Sequence, residues 1–253
     1  MEGIVTEKKK KVAIVGCSDS KGLAPFKDES FEIWGVNNLF YHIPRYDRWF
    51  EIHSIKRDGD QWFRRGNIDL KVGKFDWSTE FRGQNVNKYV GDLSKLACPI
   101  YMQNKWDEIP TSEPYPLQAI KDTFGGYFTN TVSYMLALAI YEGFEEIHVY
   151  GVDMAVSTEY YWQRPSCEYF LGIAIGRGIK VYIPPEADLL KTRFLYAFEE
   201  KERDHWEKKV ASMTANMNQR KAQAEQEMTL AQRKVEQYIG AIEAIREVNK
   251  IWE

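Results

Sequence analysis

One stretch, residues 126–154 (GYFTNTVSYMLALAIYEGFEEIHVYGVDM), constrains the fold more than any other. Thr129, Asn130 and Thr131 offer side-chain caps for a helix start, and Val132, Met135, Leu136, Ala139 and Ile140 recur at helical spacing, so one face is built for burial. Gly143 ends that helix, and Ile147, His148, Val149 and Tyr150 form a short β-rich run closed by Gly151 and Asp153. A capped helix feeding a buried strand with a Gly-x-Asp loop is half of a doubly wound α/β domain. Such sheets bind their ligands beyond the carboxyl ends of the strands. Residues 150–154 form that edge here, close to the expected ligand.

The preceding sequence supplies more strands for the same sheet. Val12, Ala13, Ile14 and Val15 are a continuous apolar run, as expected of a strand covered on both faces. It empties into Gly16, Cys17, Ser18, Asp19, Ser20, Lys21 and Gly22, a small polar turn where backbone amides and the Ser18 and Ser20 hydroxyls can meet a phosphate. The turn is neither G-x-G-x-x-G nor a Walker A loop, so an ordinary β–turn–α connection stands beside that reading. Residues 31–36 read as a second strand with Asn37 and Asn38 at its carboxyl end. These two suit either a base or ribose edge or a structural turn. Residues 46–53 read as a third strand, closed by Glu51 and His53. Five glycines punctuate a charged, aromatic-rich segment at about 55–95, expected to be a lid or insertion. A short strand at 99–102 and a proline-rich loop lead to a helix near 117–122. Residues 157–165 (STEYYWQRP) read as an aromatic loop on the ligand face, where Arg164 suits a phosphate, or as a packed loop. A helix over 166–177 and a last strand at 179–183 follow.

From 186 onward the sequence changes in kind, with no proline and one glycine, Gly240. Apolar or small residues fall at Trp206, Val210, Met213 and Met217, then at Ala224, Met228, Ala231, Val235, Tyr238, Ile242, Ile245 and Trp252. Steps alternating between three and four mark a coiled-coil seam. The phase slips over the polar residues 218–221, as a stutter in one helix or the turn of a helical hairpin. Homo-oligomerisation through residues 186–253 is the expected use, with a helix folded back on its own domain as the alternative.

The expected fold class is therefore α/β: a Rossmann-like, doubly wound, mostly parallel sheet over 11–185, followed by a long helical extension over 186–253. A flexible tail over 1–10 precedes them. A net charge of −3 supplies no global basic field, so nucleic acid is an unexpected partner, although a modified-base acceptor stays open. Cys17, Cys98 and Cys167 are odd in number and far apart, which speaks for reduced thiols in a cytoplasmic chain. Apolar runs fall short of the ~20 residues a bilayer crossing needs, no hydrophobic segment of a secretory signal follows the basic run at 8–11, and no metal site is expected.

The segment FTNTVSYMLALAIYEGFEEIHVYGVDM resembles the signature region of the bacterial family 42 sialyltransferases and the related MptE-like proteins. VAIVGCSDS and FEIWGVNNLF resemble the same family's first strand, phosphate turn and second strand end. The whole chain resembles proteins encoded by tailed bacteriophages, which implies the cytoplasm of an infected bacterial host. The resemblance implies a nucleotide or nucleotide sugar of CMP type as ligand and no obligatory cofactor. It also implies phosphate contacts at Gly16, Ser18, Asp19 and Ser20, ribose or sugar contacts at Asn37 or Asn38, and donor contacts at Thr129, Asn130 and Thr131. Asp153 would hold the nucleoside and Tyr161 would steady the leaving phosphate.

The family's catalytic histidine has no counterpart, because no His lies between His148 and His205, and Ala155 replaces a leaving-group tyrosine. Glu159, Glu168 and His53 are the candidate bases, with Asp153, Tyr161 and Glu168 as the expected catalytic set. The expected function is a nucleotide-sugar-dependent, glycosyltransferase-like activity. The alternative is a non-catalytic, oligomeric nucleotide- or metabolite-binding phage protein with a structural or counter-defence role. The pterin pyrophosphokinase chemistry that the MptE-like resemblance implies would need paired carboxylates for Mg²⁺, and only Asp153 stands at the strand end.

Overall fold

The computed structural model describes residues 10–69, 74–154, 158–192, 195–198 and 203–252; apart from Lys10, the expected N-terminal tail lies outside them. In chain order the strands β1 (Lys11–Val15), β2 (Phe31–Val36) and β3 (Arg48–Glu51) come first. Five short strands follow: β4 (Ile55–Asp58), β5 (Gln61–Asp69), β6 (Lys74–Ser78), β7 (Glu80–Phe81) and β8 (Gln84–Asn85). Helix α1 (Val86–Leu93), strands β9 (Ile100–Met102) and β10 (Ser112–Pro114), and helices α2 (Leu117–Phe124) and α3 (Thr131–Tyr141) come next. The chain then forms β11 (Glu146–Tyr150), α4 (Thr158–Gly176), β12 (Lys180–Tyr182) and α5 (Arg203–Trp252).

Seven strands form one sheet in the order β10-β9-β3-β2-β1-β11-β12, and every pairing in it is parallel. Strand order reverses at β1, so the topological switch point lies between β1 and β11. The alternating side chains of β1 show why the sheet is doubly covered. Val12 and Ile14 enter one core with Met135, Leu136, Phe170 and Leu171 of α3 and α4, whereas Ala13 and Val15 enter the other with Tyr89, Val90 and Leu93 of α1.

Several expected boundaries move. β3 is an interior strand four residues long, between β2 and β9. The 55–95 segment holds an antiparallel sheet, β4-β5-β6, then the β7–β8 hairpin and α1; Trp62, Val86, Tyr89, Val90 and Leu93 are buried in the second core. α3 is buried around its whole girth from Met135 to Ile140, not on one face, because α2, α4 and the sheet all pack against it. The expected aromatic loop at 157–165 is instead helical from Thr158, with Pro165 inside α4.

The chain divides into two compact units, Met1–Lys191 and Thr192–Glu253. In the second, α5 is a single helix of 50 residues, about 75 Å long at 1.5 Å per residue. Residues 218–221 thus continue the helix and do not form a turn. Among the described residues no helix is long and apolar enough to cross a membrane.

Candidate functional site

The turn after β1 and the loop after β11 meet at the switch point. A Cβ on Gly16 would stand 2.4 Å from the Gly151 carbonyl oxygen, and one on Gly151 would stand 2.3 Å from that of Gly16. The two glycines therefore permit backbone contact between neighbouring loops, and Gly151 also takes φ +63°. Ser18 N donates to Gly151 O at 2.8 Å. Ser20 Oγ accepts from Gly151 N at 2.8 Å and donates to Asp153 Oδ1, and Ser20 is 2% exposed. Burial pushes the Asp153 carboxyl above its ordinary value, and the negative charges of Asp19 and Glu186 add to this against the Ser20 hydrogen bond. Asp153 is half-buried. Cys17 and Ser18 are partly open and Asp19 is exposed, so the outer surface of the turn is formed by these three.

A second polar set lies at the carboxyl ends of β2 and β3. Glu51, the last residue of β3, is fully buried. Its Oε1 receives Arg64 Nη2 at 3.2 Å and lies 2.9 Å from His53 Nδ1, and its Oε2 accepts the Tyr89 hydroxyl. Burial alone would raise the Glu51 carboxyl, but the Arg64 guanidinium, His53 and Tyr89 hold it down at about 2. Burial and the same carboxylate push the Tyr89 phenol well up. Arg64 Nη2 also lies 2.6 Å from His53 Nδ1 and donates to Asn37 Oδ1 at 3.4 Å. The His53 side chain is 34% exposed, with Nδ1 turned to this cluster.

Asn37 and Asn38 tie this cluster to the turn after β1. Asn37 takes φ +55°, a conformation asparagine tolerates, and its carbonyl accepts Trp49 Nε1 at 2.9 Å. Asn38 Oδ1 accepts Arg82 Nη1 at 3.2 Å, and the same nitrogen lies 3.5 Å from Cys17 Sγ. Arg64, Arg82 and Tyr89 were not among the expected site residues. They come from the 55–95 segment, and no local spacing links them to Glu51 or Asn38. The only sequence signal was Glu51 and His53 together at a strand end.

Thr129, Asn130, Arg164 and Glu168, also expected at the site, bind protein groups. Asn130 caps α3 by accepting from Ser133 N at 2.9 Å and donates through Nδ2 to Gln163 O at 2.8 Å. Thr129 Oγ1 pairs with Ser166 Oγ at 2.6 Å and donates to Gln163 O. Both residues therefore moor α4 to the start of α3, and Thr131 opens that helix half-buried. Arg164 Nε donates to Glu168 Oε1 at 2.7 Å, and this pair grips the chain at 190–191 through Leu190 N and Lys191 O. Side chains at 155–161, Tyr161 and Glu159 among them, lie outside the described residues.

In this arrangement the polar groups concentrate over β1, β2 and β3, with the Arg64 guanidinium on the buried Glu51 carboxylate and the Arg82 guanidinium on Asn38. The His53 imidazole stands beside them with Nδ1 within hydrogen-bond reach of both Glu51 Oε1 and Arg64 Nη2. A surface groove of about 580 Å³ lies elsewhere, between 22–28 and Pro44–Arg45; the Arg45 guanidinium there donates to the Asp28 and Phe31 carbonyls. Among the described residues no group of three or more His, Cys, Asp or Glu side chains could hold a metal ion.

No protein-family model matches the chain, and no curated protein matches it. Solved structures similar to it include the sialyltransferase CstII from Campylobacter jejuni in complex with the substrate analogue CMP-3FNeuAc. That match has 14% identity and a TM-score of 0.41, covering 68% of this chain and 79% of that chain. The same enzyme with cytidine-5'-monophosphate matches at 15% identity and a TM-score of 0.40, covering 68% and 78%.

Proposed function

We propose that the first unit binds a nucleotide or nucleotide sugar at the carboxyl edge of β1–β3 and transfers the sugar to an acceptor hydroxyl. One observation carries this reading: Glu51, His53, Asn37, Asn38, Arg64 and Arg82 converge beyond the strand ends of a doubly wound sheet, where such folds hold nucleotides. Burying the Glu51 and Arg64 charges costs several kcal/mol before their pairing offsets it, so packing alone does not account for the cluster. The resemblance of VAIVGCSDS and FTNTVSYMLALAIYEGFEEIHVYGVDM to family 42 sialyltransferases supports a CMP-type donor.

In this reading Ser18 and Asp19 border the phosphates, and Asn38 meets the ribose or sugar. Asp153 lies on the nucleoside side and Tyr161 steadies the leaving phosphate. His53 takes the acceptor proton through Nε2 in the tautomer whose Nδ1–H donates to Glu51, since Glu168 is held by Arg164 and Leu190. Full-length protein incubated with a panel of nucleotide sugars should show slow donor hydrolysis. Asp153→Ala, Tyr161→Phe and His53→Ala should each lower it at least about a hundredfold. Absence of turnover with every donor would defeat the transferase reading.

A second reading is favoured by one fact: Ser20, Thr129, Asn130, Arg164 and Glu168 already make hydrogen bonds within the protein. It is a non-catalytic nucleotide-binding protein, assembled through α5 and used during phage infection. It is distinguished by nucleotide binding without turnover.

A further inference from the structure

The turn joining β7 to β8 is built against local preference. Two residues make it, and both take positive φ, 51° at Arg82 and 73° at Gly83. Two-residue turns with this backbone favour Asn, Asp or Gly at the first position, because a longer side chain crowds the backbone there. Arg82 is none of these. Non-glycine residues in such a conformation cluster where a ligand or a mechanism requires them.

The reach of Arg82 supplies the second observation. From an exposed position its Nη1 touches Asn38 Oδ1 at 3.2 Å and Cys17 Sγ at 3.5 Å, spanning the ends of β2 and β1. Its guanidinium lies 5.6 Å from the Phe81 ring centre, whose nearer cation is Arg64 at 3.6 Å. Arg64 is paired with the Glu51 carboxylate, whereas the polar partners of Arg82 are an amide oxygen and a sulfur. Among the described residues Arg82 forms no ion pair, so an unmatched positive fork stands over the turn after β1.

We propose that the hairpin at residues 80–85 is an anion clamp, in which Arg82 binds a phosphate group seated between the 17–18 turn and Asn38. The planar fork suits two phosphate oxygens at once, and the strained turn aims it there. That the phosphate belongs to a nucleotide rests on the function proposed above; the clamp itself requires only an anion.

The test is calorimetric titration of full-length wild type, Arg82→Asn and Arg82→Lys with CMP, cytidine and inorganic pyrophosphate, beside thermal melts. Asparagine accepts positive φ, so Arg82→Asn should melt at or above wild type. It should bind CMP and pyrophosphate about ten- to a hundredfold more weakly while cytidine binding stays unchanged. Arg82→Lys should fall between the two. Unchanged CMP and pyrophosphate affinity in Arg82→Asn would overturn the clamp, as would an equal loss for cytidine and CMP. If wild type binds pyrophosphate through Arg82 but no nucleoside or nucleotide, the clamp stands and the nucleotide reading fails. If it binds none of the three, both fail.

Discussion

Glu51 is where burial and chemistry meet most sharply. Its carboxyl is held at about 2 in the folded chain, against roughly 4.3 for a free glutamate. The folded pKa is depressed, so the unfolded chain binds more protons over this interval and stability rises with pH. The Glu51 contribution is fully present above about pH 5 and is lost as pH falls through 4 towards 2. Glu51→Gln leaves Arg64 buried without its carboxylate, which should cost about 3–5 kcal/mol at pH 7. Melting curves from pH 7 to pH 2.5 should show the two proteins converging as acid removes the wild-type advantage; parallel curves would refute the assignment. At this scale the sequence was legible for type more than for task. Gly16 reads as relief for a phosphate, yet the backbone of Gly151 occupies the space its Cβ would fill. That contact joins residues 135 positions apart, and no local pattern encodes it.

Among the elements, continuous apolar runs were read well because a strand buried on both faces leaves few other arrangements for them. The helix at 131–141 was also legible, through the Asn130 cap and Gly143. Others were not, β10 and the start of α4 among them. β10 hides in a proline-rich segment because an edge strand three residues long tolerates Pro114. The start of α4 reads as a loop because Pro165 looks like a terminator, although a helix can carry an interior proline at the loss of one hydrogen bond. Asn130 both caps α3 and holds α4, so Asn130→Ala should cost more than the ~1 kcal/mol of an ordinary cap. Urea unfolding would measure it. Asn130→Asp keeps the cap and loses the Nδ2 bond to Gln163, and should fall between Asn130→Ala and wild type. Equal losses in the two variants would contradict the double role.

For the molecule as a whole, the α/β class and the long terminal helix were both visible in hydrophobic periodicity. The choice between a stutter and a hairpin was not, since polar residues 218–221 suit either. In α5, Met213, Met217, Met228, Val235, Tyr238, Ile242 and Ile245 are all exposed. Pairing between copies would bury that seam. Sedimentation of the full chain should then give an oligomer and residues 1–191 a monomer with an unchanged near-ultraviolet spectrum; a monomeric full chain would exclude the seam's use. The central claim, ligand binding at the carboxyl edge of β1–β3, is tested most directly by amide hydrogen exchange of the full-length protein with and without CMP. Bound CMP should slow exchange in peptides covering 16–22, 37–41 and 80–85. Unchanged exchange in all three, or protection confined to the groove at 24–28 and 44–45, would contradict it.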